Sequence, residues 1–322
     1  MRSYAKVNLT LDVLGLRPDG FHDIESVIQS VGLHDTVTVS VRGEPGIRVT
    51  CDMPGIPTDE RNLAHKAAVL FFEDIGAAPR VDIHIEKRIP PEAGLGGGSS
   101  NAAAVLQGLA QLLQSGGGSE FKVQGSKFKV QGSSRPATLN LEPGTLNSAA
   151  AAAVGSDVPF FTVGGAALVR GRGEEVEALP EIPTQWLVIL KPSFGVSTPW
   201  AYRRLDEMRA EGARGSCRAD REPKTASARM TKCIRDQAWE RLPGLLSNDL
   251  ELPAVERHPE IGELKNALLR AGATGALMCG SGSAIFGLFP SERDAHKAAG
   301  SLDGDCIHVI LTRTIGRGKM NE

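Results

Sequence analysis

The chain has 322 residues, of which 41% are hydrophobic, so it can form one large or two ordinary domains around a substantial core. Its formal net charge of −2 gives no indication of a nucleic-acid-binding surface. It contains no run of about 18 apolar residues, and its first residues lack the apolar core of a secretion signal. Its five cysteines are scattered and include no C-x-x-C pair, which favours neither a zinc site nor a disulfide framework. We therefore expect a cytoplasmic protein.

Apolar and polar side chains alternate over residues 5–13, which predicts a β-strand. One face of this strand carries Ala5, Val7, Leu9, Leu11 and Val13, and the other carries Lys6, Asn8, Thr10 and Asp12. The alternation alone favours a strand with one solvated face. A lysine at this place does not by itself indicate a functional site.

A turn is predicted in the segment Arg17-Pro18-Asp19-Gly20-Phe21-His22-Asp23, because Asp19-Gly20 is a turn signal. Phe21 and His22 follow it on a loop or at a strand edge. Two interpretations stay open for these two residues. The aromatic ring can simply pack on the core, or the pair can recognise a base, since a ring stacks and an imidazole both donates and accepts hydrogen bonds.

Alternation predicts two further strands over residues 36–41 and 47–51. An amphipathic helix is predicted over residues 62–75, and another strand over residues 81–86. That strand leads directly into a glycine-rich loop, and a helix is predicted after the loop over residues 102–113. This segment of strand, loop and helix is the central motif of the sequence.

The glycine loop reads Pro90-Pro91-Glu92-Ala93-Gly94-Leu95-Gly96-Gly97-Gly98-Ser99-Ser100-Asn101, and Ser99 or Ser100 can cap the helix. Glycines let the backbone approach a ligand closely, and the free N–H groups and dipole of a helix start favour phosphate. The alternative is a flexible turn. The loop lacks the lysine of a Walker motif, and Ser99 stands where a dinucleotide fingerprint has its third glycine.

Residues 114–134 are rich in Gly and Ser and contain the segment Phe-Lys-Val-Gln-Gly twice, so we expect an exposed, flexible insertion there. An Ala-rich helix is predicted over residues 146–154, and Gly155 ends it. Ser156 or Asp157 then caps the next helix, whose first turn tolerates Pro159. Asp157 is therefore either a capping residue or a carboxylate held at a helix start for chemistry.

The remaining sequence predicts strands over residues 165–170, 186–190 and 306–311. Helices are predicted from about Ser197 onward and over residues 260–271 and 295–302. Residues 212–235 are basic, which is typical of a solvated loop and helix face. Gly280-Ser281-Gly282-Ser283 lies between two apolar runs, a pattern shared by tight hairpins and by loops that line a site.

Taken together, these motifs resemble the GHMP kinases. The loop G-L-G-G-G-S-S-N-A-A, the segment G-S-D-V-P-F-F and the run Gly-Ser-Gly-Ser are similar to three motifs of that family, in the same order. The openings A-K-V-N-L and R-P-D-G-F-H resemble the branch that acts on a cytidine diphosphate-linked methylerythritol, although that branch usually has Tyr where this chain has Phe21. The segment Ser247-Asn248-Asp249-Leu250-Glu251 also matches a family element, one without an assigned role. The insertion is a departure from the family.

This resemblance implies an α+β fold in two lobes, with both substrates bound in the cleft between them. Residues 1–164 would form a ribosomal-S5-like lobe that binds ATP, and residues 165–322 a ferredoxin-like lobe. The implied reaction is phosphoryl transfer from ATP to the 2-hydroxyl of the methylerythritol unit, with Mg²⁺ as a cofactor. The resemblance further implies a small-molecule substrate, no nucleic-acid or membrane partner, and a monomer or weak homodimer.

The same resemblance assigns roles to individual residues. Lys6 and Asp157 are implied to be catalytic, with Asp157 as the base. The implied ATP-binding residues are Pro90, Gly94, Leu95, Gly96, Gly97, Gly98, Ser99, Ser100 and Asn101. The implied substrate-binding residues are Asn8, Phe21, His22, Tyr202, Gly280, Ser281 and Gly282. Ser100 is also implied as a contributor to the Mg²⁺ site.

Two alternatives stay open. One is a GHMP kinase for another small alcohol, such as homoserine or a mevalonate derivative. The Phe21–His22 pair argues against it, because that pair suits a cytidine-bearing substrate. The other is a nucleotide-binding regulator without turnover. The presence of both Lys6 and Asp157 argues against this second alternative, because a protein that only binds needs no base.

Overall fold

The computed structural model describes residues 1–114, 148–212, 225–302 and 307–319. Beyond Gln114, the predicted insertion at residues 114–134 lies outside these ranges. Residues 213–224 of the basic segment and Cys306, where the last predicted strand begins, lie outside them as well. None of the described helices combines the length and the hydropathy that a membrane span needs.

The strands and helices follow one another along the whole described chain. The strands are β1 Arg2–Leu16, β2 His22–Val41, β3 Gly46–Cys51, β4 Arg80–Glu86, β5 Ala166–Gly171, β6 Glu175–Ala178, β7 Trp186–Pro192, β8 Ser247–Asn248, β9 Gly275–Met278, β10 Ile285–Phe289 and β11 Ile307–Arg313. The α-helices are α1 Leu63–Asp74, α2 Gly97–Gln114, α3 Ser148–Val154, α4 Val158–Val163, α5 Thr198–Gly212, α6 Ala226–Arg235, α7 Glu251–Arg257, α8 Glu260–Arg270 and α9 Glu292–Leu302. Short 3-10 helices lie at Trp239–Leu245 and Arg317–Lys319.

The chain divides into two compact units. Unit 1 comprises Met1–Ser3, His34–Arg88 and Gly97–Thr162, and unit 2 comprises Tyr4–Leu33, Ile89–Gly96 and Val163–Glu322. The long strands β1 and β2 therefore each contribute residues to both units. The domain boundary expected between residues 164 and 165 stays a prediction.

Unit 1 packs helices against a small sheet. The second half of β2 pairs antiparallel with β4, from Thr36 opposite Glu86 to Val41 opposite Val81, and β3 pairs parallel with β4. The buried apolar side chains of these strands are Val37, Val49, Val81, Ile83 and Ile85, and buried side chains of α1 and α2 form the other part of the core. Asn62 caps α1 by accepting a hydrogen bond from the Ala64 N–H (2.9 Å), which confirms the predicted helix start.

Unit 2 contains the predicted ferredoxin-like sheet. Its four antiparallel strands lie in the order β11, β7, β10, β9, with α8 packed against β9 and β10, and α9 against β7, β10 and β11. In chain order this is a β-α-β-β-α-β arrangement, which confirms the prediction for the C-terminal part. The other strands of unit 2 are the first half of β2 with β5 and β6 on one side, and β1 with β8 on the other.

The interpretation of β1 as a strand with one solvated face is wrong. Lys6 is 4% exposed, Asn8 is 3% exposed and Thr10 is fully buried. These polar side chains tolerate burial because they are hydrogen-bonded: Lys6 donates to Asn8, and Asn8 and Thr10 have partners on β2. Strand β2 begins at His22 and not at residue 36. The first half of β2 lacks a clean alternation, so the pattern of its residues did not predict it.

The predicted start of the helix after the glycine loop is also wrong. Helix α2 begins at Gly97, five residues before the predicted start at residue 102. Ser99 and Ser100 therefore lie inside its first turn and are not caps. Glycine is a weak helix former, which is why propensity placed the start after the glycines.

A buried ion pair joins two segments of unit 1. The Lys87 ammonium donates to the Asp35 carboxylate at 2.5 Å, and the backbone N–H of Arg88 donates to the same carboxylate at 2.7 Å. Asp35 is fully buried and Lys87 nearly so. A pair of this kind contributes little net stability when intact, but it is costly to break.

Asp35→Ala should therefore lower the free energy of unfolding by about 3–5 kcal/mol, because it leaves the Lys87 ammonium buried without its counter-charge. Urea-induced unfolding measures this loss. The control is Asp82→Ala, which removes the partner of the exposed Arg48 on the same sheet and should cost at most about 1 kcal/mol. Equal losses in the two variants would contradict the account of the Asp35 pair.

Candidate active site

The first part of the glycine loop lies in unit 2 and packs against the turn that follows β9. Gly94 and Gly96 have φ of +73° and +71°, a backbone conformation that favours glycine. A Cβ atom on Gly94 would lie 1.9 Å from the carbonyl oxygen of Cys279. Leu95 is buried in the core, and its carbonyl accepts a hydrogen bond from the backbone N–H of Lys6 at 3.0 Å. Over Gly94–Gly96, it is therefore the backbone that is placed to meet a ligand.

The second part of the loop lies in unit 1 and forms the first turn of α2. The first four N–H groups of a helix have no partner within it, so Gly97 to Ser100 present donors suited to a phosphate. Ser100 and Asn101 are both buried, and the Ser3 hydroxyl lies 2.7 Å from the Ser100 hydroxyl and from the Asn101 side-chain oxygen. Ser3 thus positions two of the predicted ATP-binding residues.

Lys6 is held by a chain of hydrogen bonds across β1 and β2. Its ammonium donates to the Asn8 side-chain oxygen at 2.7 Å, and the Asn8 amide donates to the Ser26 hydroxyl at 2.8 Å. Ser26 in turn donates to the Thr10 carbonyl at 2.5 Å. The structure therefore brings the predicted residues Lys6 and Asn8 together, and the main visible role of Asn8 is to orient the lysine.

The Gly280 turn, residues 279–283, joins β9 to β10 and lies beside Lys6. Gly280 and Gly282 have φ of +51° and +94°. A Cβ atom on Gly280 would lie 3.0 Å from the Gly94 carbonyl oxygen and 3.3 Å from the Lys6 Nζ. The segment is thus both a tight hairpin and a lining of the Lys6 environment. Ser281 points elsewhere, since its hydroxyl is hydrogen-bonded to that of Thr198 at 2.7 Å.

A cysteine nucleophile is excluded at this turn. Cys279 is completely buried, and desolvation raises the pKa of its thiol to about 12, although the Lys6 charge opposes this shift. The thiol is therefore neutral near pH 7, and a neutral thiol is a poor nucleophile.

Asp157 lies in unit 1, in the turn between α3 and α4. Helix α4 begins at Val158 with Pro159 in its first turn, as predicted. A Cβ atom on the nearby Gly155 would lie 3.8 Å from the Ser99 hydroxyl, so this turn lies against the start of α2. The assignment of Asp157 as a base stays a prediction.

Phe21, His22 and Tyr202 all belong to unit 2, and the His22 and Tyr202 rings are in contact. Phe21 is 52% exposed, so the interpretation that it packs on the core is wrong, and the Arg172 guanidinium lies 4.8 Å from its ring centroid. The His22 ring lies 4.8 Å from the Tyr202 ring, tilted by 31°, and its Nε2 is 2.8 Å from the Asp206 carboxylate. We call Phe21, His22, Tyr202 and Asp206 the base cluster.

The turn that carries Phe21 is fixed by its own charged residues. Arg17 pairs with Asp23 at 2.7 Å and with Asp19 at 3.3 Å. The Phe21 N–H donates to Asp19, and this hydrogen bond is the main cause that holds the pKa of the Asp19 carboxyl below its usual value. The charged residues of R-P-D-G-F-H-D thus hold the exposed aromatic ring in place.

Several residues of the site escaped the sequence analysis. Ser3 and Ser26 are serines in strands, without a local signal of their contacts. Asp206 did have a signal, because it lies four residues after Tyr202 on α5 and so shares its helix face. Asn248 lies in the segment that matched a family element without a role, and its side chain contacts the Gly280 turn.

Family models match two parts of the chain. The model described as GHMP kinases N terminal domain matches residues 62–124, and the model described as GHMP kinases C terminal matches residues 230–307. The first match contains the glycine loop, and the second contains the Gly280 turn.

Individual proteins match the chain over nearly its full length. It is 39% identical over 302 residues to the 4-diphosphocytidyl-2-C-methyl-D-erythritol kinase of Geobacter metallireducens, which covers 94% of this chain and 93% of that protein. A crystal structure of 4-(cytidine 5'-diphospho)-2C-methyl-D-erythritol kinase, 31% identical, superposes with a TM-score of 0.71 and covers 98% of this chain and 99% of that one. The L. major mevalonate kinase in complex with R-mevalonate has a TM-score of 0.69 at 16% identity, covering 98% of this chain and 95% of its own, and shows the fold alone. These likenesses confirm the predicted fold class.

The close approach at Gly94 predicts that this position tolerates only glycine. Gly94→Ala should destabilise the protein by about 3 kcal/mol or more, because it adds a collision with the Cys279 carbonyl to an unfavourable φ. Gly76→Ala is the matched control, since Gly76 has φ +62° and open space around its Cβ position, and it should cost only about 1–2 kcal/mol. Urea unfolding of both variants measures the difference, and equal losses would show that the collision relaxes freely.

Proposed function

Because this chain belongs to the GHMP kinases, and among them to the 4-diphosphocytidyl-2-C-methyl-D-erythritol kinases, we propose that it phosphorylates the 2-hydroxyl of 4-diphosphocytidyl-2-C-methyl-D-erythritol with ATP as the donor. This reaction is a step of the non-mevalonate route to isoprenoid precursors. The observation that carries the proposal is the base cluster, in which an exposed aromatic residue directly precedes a histidine that is hydrogen-bonded to a carboxylate. The expected cytoplasmic location and the monomer or weak homodimer stay predictions.

The proposed chemistry is an attack of the alcohol oxygen on the terminal phosphorus of ATP. The bond from that phosphorus to the bridging oxygen breaks, and ADP leaves. Asp157 accepts the hydroxyl proton, while the Lys6 ammonium and the N–H groups at the start of α2 offset negative charge on the phosphates. The hydrogen bond to Asn8 keeps the ammonium in one orientation, so little reorganisation is needed during the reaction.

The described residues fit a magnesium ion that is held mainly by ATP. They contain no cluster of three His, Cys, Asp or Glu side chains that could hold a metal without the nucleotide. Kinase sites commonly bind Mg²⁺ through substrate phosphates and water with few protein ligands. Ser100, in the first turn of α2, would supply one hydroxyl oxygen. The ion would neutralise charge on the phosphates.

The base cluster suits cytosine better than uracil. A carboxylate only accepts hydrogen bonds, so the Nε2 that faces Asp206 is the donor, and in the imidazole form of His22 the other nitrogen, Nδ1, is an acceptor. An acceptor pairs with the amino group of cytosine and repels the carbonyl oxygen that uracil has in its place. Phe21 adds an exposed face on which a base can stack.

Both alternative functions are disfavoured by specific contacts. Homoserine and mevalonate contain no aromatic ring that could stack on the exposed face of Phe21. They also lack a base whose amino group could donate to His22. A regulator that only binds nucleotide has no use for the buried Lys6 that Asn8 orients next to the Gly280 turn. Phosphorylation of a cytidine-bearing alcohol accounts for both features.

Asp157→Asn keeps the size of the side chain but cannot accept a proton. We expect turnover to fall by roughly 10²–10⁴-fold, the usual weight of a general base, with ATP affinity nearly unchanged. Steady-state kinetics and nucleotide titration measure the two quantities. The control is Asp59→Asn, which changes an exposed carboxylate paired with Arg61. Activity within a few fold of wild type in Asp157→Asn would show that Asp157 is only a capping residue.

Substrate choice should depend on the base cluster. His22→Ala and Phe21→Ala should each reduce kcat/KM for the cytidyl alcohol. The reduction should correspond to a loss of about 1–3 kcal/mol of transition-state stabilisation, through a lost hydrogen bond in His22→Ala and lost stacking in Phe21→Ala. Phe21→Tyr should be nearly neutral because the stacking face is kept. The measurement is made at saturating ATP with a thermal-shift control, and His296→Ala on the exposed face of α9 is the matched variant. Well-folded variants with unchanged kcat/KM would refute the cytidine assignment.

A further variant tests whether Asp206 acts by setting the tautomer of His22. Asp206→Ala lets His22 carry its proton on either nitrogen, so the preference for CDP over UDP as competing ligands should shrink. In a His22→Ala background the same change should have no further effect on that preference. An equal effect in both backgrounds would mean that Asp206 acts on the base without His22.

A further inference from the structure

The segment Ser247–Glu251 crosses unit 2 next to the elements that carry the site. Ser247 and Asn248 form β8, which pairs parallel with β1 opposite Thr10 and Leu11. The segment matched a family element without a role, and neither ATP nor the base cluster accounts for it. The side-chain contacts of this segment are specific enough to suggest a role for it.

The Asn248 side chain is 8% exposed, and each of its polar atoms has a backbone partner. Its Nδ2 donates to the carbonyls of Met278 and Gly280 at 2.9 and 2.7 Å, and its Oδ1 accepts from the Leu250 N–H at 3.0 Å. A primary amide provides two hydrogens on one atom and an acceptor on the other. An aspartate of the same shape would place a charged oxygen against two carbonyl oxygens.

The neighbouring acidic residues strengthen the same connection. Glu251 accepts from the Met278 N–H at 2.9 Å. Asp249 accepts from the Val13 N–H at 2.8 Å, and its own N–H donates to the Leu11 carbonyl at 2.9 Å. The segment thus joins the strand that carries Lys6 to the strand that leads into the Gly280 turn.

One of the two carbonyls that Asn248 holds belongs to Gly280, which is packed against the Gly94 backbone and the Lys6 ammonium. A Cβ atom on Gly280 would approach the Gly94 carbonyl oxygen to 3.0 Å and the Lys6 Nζ to 3.3 Å. A rotation of the Gly280 peptide would therefore shift the backbone of the glycine loop, the lysine ammonium, or both. In a packed interior such a shift cannot be absorbed without a change in the neighbours.

We propose that Asn248 is a positioning residue of the phosphoryl-transfer site: it fixes the Gly280 turn and, through it, the Gly94 backbone and the Lys6 ammonium. It acts through the turn and not through the base cluster, with which it has no hydrogen bond in the described structure. The kinetic part of this inference rests on the proposed function; the structural part does not.

The test is Asn248→Asp, with Asn266→Asp on the exposed face of α8 as the matched control. Asn248→Ala is the second variant, because it removes the hydrogen bonds without adding a charge. For the Asn248 variants we expect kcat to fall on the order of 10²-fold, as for a small misplacement of reacting groups. KM for the cytidyl alcohol and the affinity for CDP should stay within about twofold, because the base cluster is untouched. Asn266→Asp should change none of these quantities.

Hydrogen exchange supplies a readout that needs no substrate. In the Asn248 variants, exchange should rise at residues 93–96 and 279–283, while the strands of the ferredoxin-like sheet keep their protection. Hydrogen exchange that rises throughout unit 2 would indicate a general structural role and overturn the proposal. A lower kcat accompanied by a higher KM and a weaker CDP affinity would do the same. Unchanged kcat in well-folded variants would overturn it as well. A wild-type protein inactive on the cytidyl alcohol would refute the proposed function, while the exchange result would still decide the role of Asn248.

Discussion

Two backbone segments of unit 2 approach each other at Gly94 so closely that no side chain fits between them. A Cβ atom there would lie 1.9 Å from the Cys279 carbonyl oxygen, and one on the neighbouring Gly280 would lie 3.0 Å from the Gly94 carbonyl oxygen. This contact sets the path of the glycine loop, whose Leu95 carbonyl receives the Lys6 N–H, and it places the Gly280 turn beside the Lys6 ammonium. Gly94 is therefore required by packing, whatever the loop binds.

The strands β1 and β2 connect the two ends of the proposed substrate site within unit 2. Lys6 is linked through Asn8 to Ser26 on β2, and His22 lies four residues before Ser26 on the same strand. Four residues of extended strand span about 13 Å. A substrate that reaches both the ammonium and the base cluster must be long, as a cytidine diphosphate-linked alcohol is and homoserine is not.

Local patterns predicted the elements whose signal is local. The alternation in β1, the amphipathic pattern of α1 and the turn before α4 were all visible in the sequence. Contacts between distant residues were not visible, since Asp206 lies 184 residues from His22 and Asn248 lies 32 residues from Gly280. The start of α2 was misplaced for another reason, because tertiary contacts outweigh the low helix propensity of Gly97 and Gly98. The roles of Lys6 and Asp157 came from family resemblance and not from any pattern in the residues around them.

The central claim is that this kinase selects its alcohol by a cytosine base. The most direct measurement is the ATP-dependent kcat/KM of the wild-type protein for 4-diphosphocytidyl-2-C-methyl-D-erythritol, set beside homoserine and mevalonate. A site that hydrogen-bonds its ligand rejects molecules without the matching groups by factors on the order of 10⁴, and we expect a preference of that size for the cytidyl alcohol. Homoserine or mevalonate used equally well or better would contradict the account.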